Sequence, residues 1–200
     1  MMNAQQTLAL IEGRQSVGLL TEPAPDSAQL EQAIQAALAA PDHHRLRPWR
    51  FIAIAGDARQ QMGEVLVDAL RASGETDPAQ LERVRAQPLR APLIVLCATI
   101  ATIHPKVPMV EQVLSTGAAI QNMLLTLHAQ GFAAMWRTGA LVESTLLKAA
   151  FGLQPDDEIA GLVYIGTPAK ALSPRQPLNV ADFLSTWSGE HQNLQGYLDD

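Results

Sequence analysis

Leu93-Ile94-Val95-Leu96-Cys97-Ala98 is an unbroken apolar run of mostly β-favouring residues, with no polar alternation. A strand of that kind can face water on neither side, which predicts a central strand covered on both faces. The strongest candidate cover lies just downstream. Segment 109–130 carries Val110, Val113, Leu114, Ala118, Ile120, Met123, Leu124 and Leu127, apolar almost all round, as in a helix buried in the core or in a subunit interface. Gly131 supplies its stop.

Working outward, 51–55 reads as a short strand and Asp57 as the cap of a helix with Met62, Val65, Leu66, Ala69 and Leu70 at helical spacing. A second, charged helical piece covers 79–87 and ends at Pro88. Beyond the long helix, 132–136 predicts a strand running into Arg137-Thr138-Gly139, 144–151 a helix, and 159–165 the last strong strand. Two helices precede everything. One covers 4–12 and ends at Gly13; the other is capped by Asp26, with Gln29 as its reciprocal partner, and stops before Pro41. The order α-α-β-α-α-β-α-β-α-β is not the strict alternation of a doubly wound fold, and predicts an α+β domain. One domain spans 3–176; the segment 177–200 is too poor in apolar residues for a second and reads as a C-terminal arm lying on a partner.

Composition excludes several functions. Fourteen Lys+Arg against twenty Asp+Glu give a formal charge of −6, without the basic surplus that general nucleic-acid binding needs. Only Lys106, Lys148 and Lys170 are lysines; the remaining cations are arginines, the better residue for bidentate recognition of phosphate or carboxylate. One cysteine, Cys97, closes no disulfide within the chain and reads as a small core residue. No apolar run reaches the roughly 18 residues of a membrane span, and the opening lacks a basic, signal-like start, so a reducing cytoplasm is the expected location.

The common catalytic signatures are absent: no G-x-G-x-x-G turn, no P-loop, no G-x-S-x-G elbow. Adjacent His43 and His44 tend to point apart along a loop, and no second cluster stands at ligand spacing, so no metal site is expected. What remains is a distributed set of anion-binding residues at element ends: Arg14 and Ser16, the loop bearing Arg45, Arg47 and Arg50, and Trp136-Arg137-Thr138. Arg and Ser together suit a dianionic phosphate.

At these positions the sequence resembles the nitroreductase family of FMN oxidoreductases, in particular its short single-domain subfamily. The matching pieces include Arg14-Gln15-Ser16, Ala40-Pro41-Asp42-His43, Arg47-Pro48-Trp49-Arg50-Phe51, Ala129-Gln130-Gly131-Phe132, Trp136-Arg137-Thr138-Gly139 and Gly166-Thr167-Pro168, in family order over about residues 3 to 170. The resemblance implies a nitroreductase-like α+β fold, a mixed sheet flanked by helices, and a homodimer holding FMN non-covalently at the subunit interface. It implies hydride transfer from NAD(P)H to the flavin, then reduction of a nitro compound, quinone or related acceptor, with no catalytic protein nucleophile. Carried over residue by residue, Arg14, Gln15, Ser16, Ala39, His43, Trp136, Arg137 and Thr138 would contact FMN. Thr126, Leu127, His128, Ala129, Gln130 and Gly131 would meet the nicotinamide cofactor. Gln15 and Ala39 stand where relatives place arginines, and Gly18 where larger relatives have a lysine near the flavin ring. Two other readings stay open: a flavoprotein of this fold performing dehydrogenation, and a flavin-binding protein without rapid turnover.

Overall fold

The computed structural model describes residues 3–189. Strand β3 (Leu93–Thr99) is buried at every position and sits between β2 (Trp49–Ala55) and β5 (Glu158–Pro168). Strand β4 (Ala133–Arg137) pairs with the other edge of β5, and the two-residue β1 (Leu20–Thr21) pairs with its end at Pro168 and Thr167. All these ladders are antiparallel. The mixed character expected of the sheet comes down to one parallel bridge, Ser16 to Ala134.

Alternation along β3 divides the core into two layers, because successive side chains of a strand point to opposite faces. Ile94, Leu96 and Ala98 pack with Met62 and Leu66 of α3 (Ala58–Ala72) and Leu147 of α6 (Thr145–Ala150). Leu93, Val95 and Cys97 pack with Ala33 and Ala37 of α2 (Ser27–Ala37) and Ile120, Met123 and Leu127 of α5 (Met109–Ala129). Burying each large aliphatic side chain contributes about 1.5–3 kcal/mol. That gain is available to β3 twice over, which is why the run at 93–98 tolerates no polar residue.

The remaining helices are α1 (Ala4–Gly13) and α4 (Pro78–Arg85). Asp26 and Gln29 close the predicted capping box at 2.8 and 3.0 Å. Asp57 stands at the N-cap of α3 as expected, but its side chain makes no capping hydrogen bond. The long helix is not buried throughout: Val110 and Leu114 are exposed, and its core contact is made by the face bearing Ile120, Met123 and Leu127. Strand β1 has no signature in the sequence, since two residues carry no periodicity. The C-terminal arm, as far as residue 189, contains a single 3-10 turn, Val180–Asp182; its remainder, 190–200, lies outside the described residues.

Polar bonds stitch the layers where apolar packing ends. Thr99 donates to Thr116 Oγ1 at 2.7 Å, and Gln112 bonds the Thr102 amide and carbonyl at 3.0 and 2.8 Å, fixing the turn between β3 and α5. Trp49 Nε1 donates to Ser115 Oγ at 2.9 Å, and Ser115 donates to the Pro41 carbonyl at 2.6 Å, tying the 41–50 loop to α5.

Candidate functional site

After α1 ends at Gly13, the chain turns at Arg14 and runs alongside β4. The Ser16–Ala134 bridge is reinforced by the Val17 amide donating to the Ala134 carbonyl at 3.0 Å. Further along, a Cβ on Gly18 would lie 3.3 Å from Met135 Cε and 3.5 Å from Arg137 Nη2. Segment 14–18 and strand β4 therefore form one ribbon, with Arg14 at one end and Arg137 near the other. At about 3.3 Å per residue the ribbon spans roughly 13 Å.

The two ends differ in chemistry. Arg14 and Gln15 line a cavity of about 160 Å³ together with Leu124, His128, Phe132 and Ala134. Gln15 donates its side-chain amide to the Ser173 carbonyl at 2.8 Å, which lays the segment after β5 across this end. Arg137 and Thr138 instead line a larger cavity of about 760 Å³ between α3, α4 and α6. Arg137 lies over the Tyr164 ring at 5.4 Å, and its Nε is buried without an acceptor among the described residues. Such a donor costs about 1–3 kcal/mol unless a ligand satisfies it. Burial pushes the Tyr164 hydroxyl's pKa up, partly offset by the charges of Arg137 and Arg90.

Trp136 faces the opposite side of β4 from Arg137. The residue is 37% exposed while its Nε1 donates to the Ala160 carbonyl at 3.0 Å, so the ring is a fixed aromatic surface. Gly161 permits this: a Cβ there would overlap Trp136 Nε1.

Ala39 and His43 lie elsewhere. His43 Nδ1 is 2.6 Å from Glu111 in the first turn of α5, whereas His128, next to Arg14 in the small cavity, is in its last. Seventeen residues of helix at 1.5 Å rise separate the two places by about 25 Å. Ala39 is exposed in the turn after α2, and its amide is spent on the Ala36 carbonyl at 3.1 Å.

The histidines correct one expectation. His43 and His44 do not point apart; their rings lie 4.8 Å apart, and His44 continues to His104 at 4.7 Å. The reason is the left-handed backbone of His44 (φ 58°), which turns its ring back onto its neighbour. Arg45 (φ 57°) and Arg47 (φ 50°) share that conformation, at a cost of order 1–3 kcal/mol each. The loop is held by the Arg47 amide donating to Asp42 at 2.8 Å and by Arg50 donating to the Trp49 and Arg47 carbonyls at 2.7 and 3.1 Å. Arg50 is thereby committed to the loop itself.

Of the segment assigned to nicotinamide contact, Leu127 faces the core and Ala129 is exposed. Thr126 donates to the Asn122 carbonyl at 3.0 Å and Gln130 to the Gln29 carbonyl at 3.0 Å. His128 and Gly131 reach the small cavity. Cys97 is buried and free, with its thiol pKa pushed up by burial, so it is no nucleophile at neutral pH. Among the described residues no cluster of three or more His, Cys, Asp or Glu is arranged to hold a metal ion, and no helix is long and apolar enough to cross a membrane.

Comparison with known proteins gives a consistent result. The Nitroreductase family model matches residues 11–167. The chain is 39% identical over 175 residues to "Putative NAD(P)H nitroreductase YdjA" of Escherichia coli strain K12, covering 88% of this chain and 94% of that one. It is 37% identical over 184 residues to a "Putative NAD(P)H nitroreductase" of Haemophilus influenzae, covering 89% and 97%. Among solved structures, a nitroreductase-like family protein from Bacillus cereus has a TM-score of 0.80 at 21% identity, over 94% of this chain and 100% of that one. A "putative nitroreductase in complex with fmn" from Desulfovibrio desulfuricans has a TM-score of 0.66 at 24% identity, over 94% and 99%. At these identities the likeness between structures is one of fold.

Proposed function

The chain belongs to the nitroreductase family, and on that premise we propose that it is an FMN-dependent oxidoreductase. It takes hydride from NAD(P)H and reduces a nitro compound, quinone or related acceptor, acting as a homodimer whose cofactor sites each draw on both subunits. A cytoplasmic location accords with its single free, buried cysteine.

The observation that carries the reading is the division of the expected contact residues. Arg14, Gln15, Ser16, Trp136, Arg137 and Thr138 lie along one ribbon, with Arg14 and Gln15 beside the C-terminal end of α5, while His43 meets Glu111 at the other end of that helix. A cofactor that contacts both Arg14 and His43 would draw the two from different copies of the chain. The exposed Val110 and Leu114 flank Glu111, the partner of His43, on α5 and are suited to packing against a second copy.

The residues present fit FMN. Arg14 has no carboxylate partner among the described residues and suits a phosphate, with charge-assisted hydrogen bonds of about 1.5–3 kcal/mol each. The orphaned Nε of Arg137 offers a second donor at the other end of the ribbon. Arg137 also answers the departure at Gly18, because its Nη2 fills the space beside the position where the resemblance puts a lysine. Trp136 supplies a rigid aromatic wall. When bound, FMN supplies the hydride and electron chemistry, and the protein contributes binding, orientation and charge. A guanidinium at a fixed place in a partly buried site stabilises negative charge without reorganising when that charge develops.

The visible spectrum of the purified protein, taken before and after anaerobic addition of NADH and then NADPH, tests this. A yellow protein bleached by either is the expected result. A colourless protein that takes up no added FMN overturns the proposal, and a bound flavin that neither dinucleotide reduces restricts it to flavin binding.

A further inference from the structure

The larger cavity is rich in positive charge. Besides Arg137, it is lined by Arg83 on α4 and Arg90 in the 3-10 turn Gln87–Arg90. Ion pairs among the described residues engage Arg71 with Asp68, and Arg85 with Glu64 and Glu82. Among the described residues these pairs leave Arg83, Arg90 and Arg137 without a carboxylate within 4.0 Å, and Glu143 is the one acidic residue lining the cavity. Arg90 and Arg137 both act on the Tyr164 hydroxyl, so their charges converge on the same wall. The rest of the lining includes Leu70, Leu141, Leu146 and Leu162. Apolar walls with convergent guanidinium groups suit an organic anion, not a free inorganic one. In a chain with a formal charge of −6, this concentration is local and carries specificity.

Resting on the flavin reading above, we propose that this cavity selects anionic acceptors: an aromatic body lies among the leucines and Tyr164, and a carboxylate on it is held by Arg90 and Arg83. For a nitroaromatic acid the reaction balances as follows. The nitro group gains two electrons and two protons, one N–O bond breaks, water leaves and a nitroso group remains, while NAD(P)H is oxidised to NAD(P)+. The arginines act on the remote carboxylate. Their contribution is to the selection and placement of the acceptor.

The test uses the flavin-loaded protein, reduced with dithionite so that no dinucleotide competes, and mixed with para-nitrobenzoate or its neutral methyl ester. Flavin reoxidation should show a second-order rate constant for the acid at least tenfold above that for the ester. The preference should fall to near unity in Arg83→Gln/Arg90→Gln, return in part in Arg90→Lys, and persist in Arg85→Gln, whose arginine lies outside the cavity. Equal rates in the wild-type protein, or a preference surviving the double substitution, overturn the proposal. Failure to bind flavin would overturn the functional reading separately. In that case calorimetry of para-nitrobenzoate binding to the flavin-free protein decides the cavity: no binding, or binding unaltered by the double substitution, overturns it, and binding lost in the double variant supports it.

Discussion

Arg14 and Arg137 are alike in sequence, each within two residues of a hydroxyl-bearing residue at an element end, yet they sit in different surroundings. Arg14 is half-buried at the open end of the ribbon, whereas Arg137 is threaded between Gly18 and Tyr164 with a buried donor unmet. Removing Arg14 should therefore weaken cofactor retention and spare the fold. The loss of a charge-assisted bond worth about 1.5–3 kcal/mol corresponds to a rise of roughly 10- to 150-fold in the FMN dissociation constant of Arg14→Ala. Fluorescence titration of the flavin-stripped protein measures it, and an unchanged constant would remove Arg14 from the site. At this scale the sequence singled out as candidates residues whose chemistry is unusual for their place, such as Arg14, Ser16 and Trp136. It was silent on Arg83 and Arg90, because an arginine on an exposed helix or turn reads as a solvated face until the opposite wall is in view.

Elements were legible wherever periodicity or a cap is strong. The strand at β3, the capping box of α2 and the stop at Gly131 follow from local rules. Gly131 ends α5 with φ 89°, a left-handed conformation that a residue with a side chain resists. What local rules could not supply is the pairing of elements. Gly161 on β5 is required by Trp136 on β4, not by any turn or cap of its own. Gly161→Ala should push the indole off the Ala160 carbonyl, lowering stability by about 1–3 kcal/mol and altering the near-ultraviolet circular dichroism. A variant with unchanged spectrum and melting temperature would show that the strands part without cost. In the core, Leu96→Ala empties a fully buried position and should cost about 3 kcal/mol, read by denaturant unfolding.

The whole molecule is divided by its sheet into two faces and by α5 into two ends, and two of the expected cofactor contacts, Arg14 and His43, fall at opposite ends of that helix. The homodimer follows as a prediction at this scale. Sedimentation should find the flavin-loaded protein at twice the monomer mass. Replacing Val110 and Leu114 with charged residues should shift it towards monomer and release flavin in the same step. A flavin-loaded monomer would contradict the shared site. The sequence by itself determined the composition of the layers, since burial on two faces, helical spacing and capping are properties of neighbours along the chain. It also marked where candidate anion-binding residues cluster, because arginines at element ends are a local pattern. Only the tertiary structure decided which of those clusters share a place. The arrangement that sets segment 14–18 beside β4 by a parallel bridge, separates Arg14 from His43 by most of the length of a helix, and brings Arg83, Arg90 and Arg137 to one cavity depends on contacts between distant residues. Such contacts arise from packing, for which no spacing along the chain is a proxy.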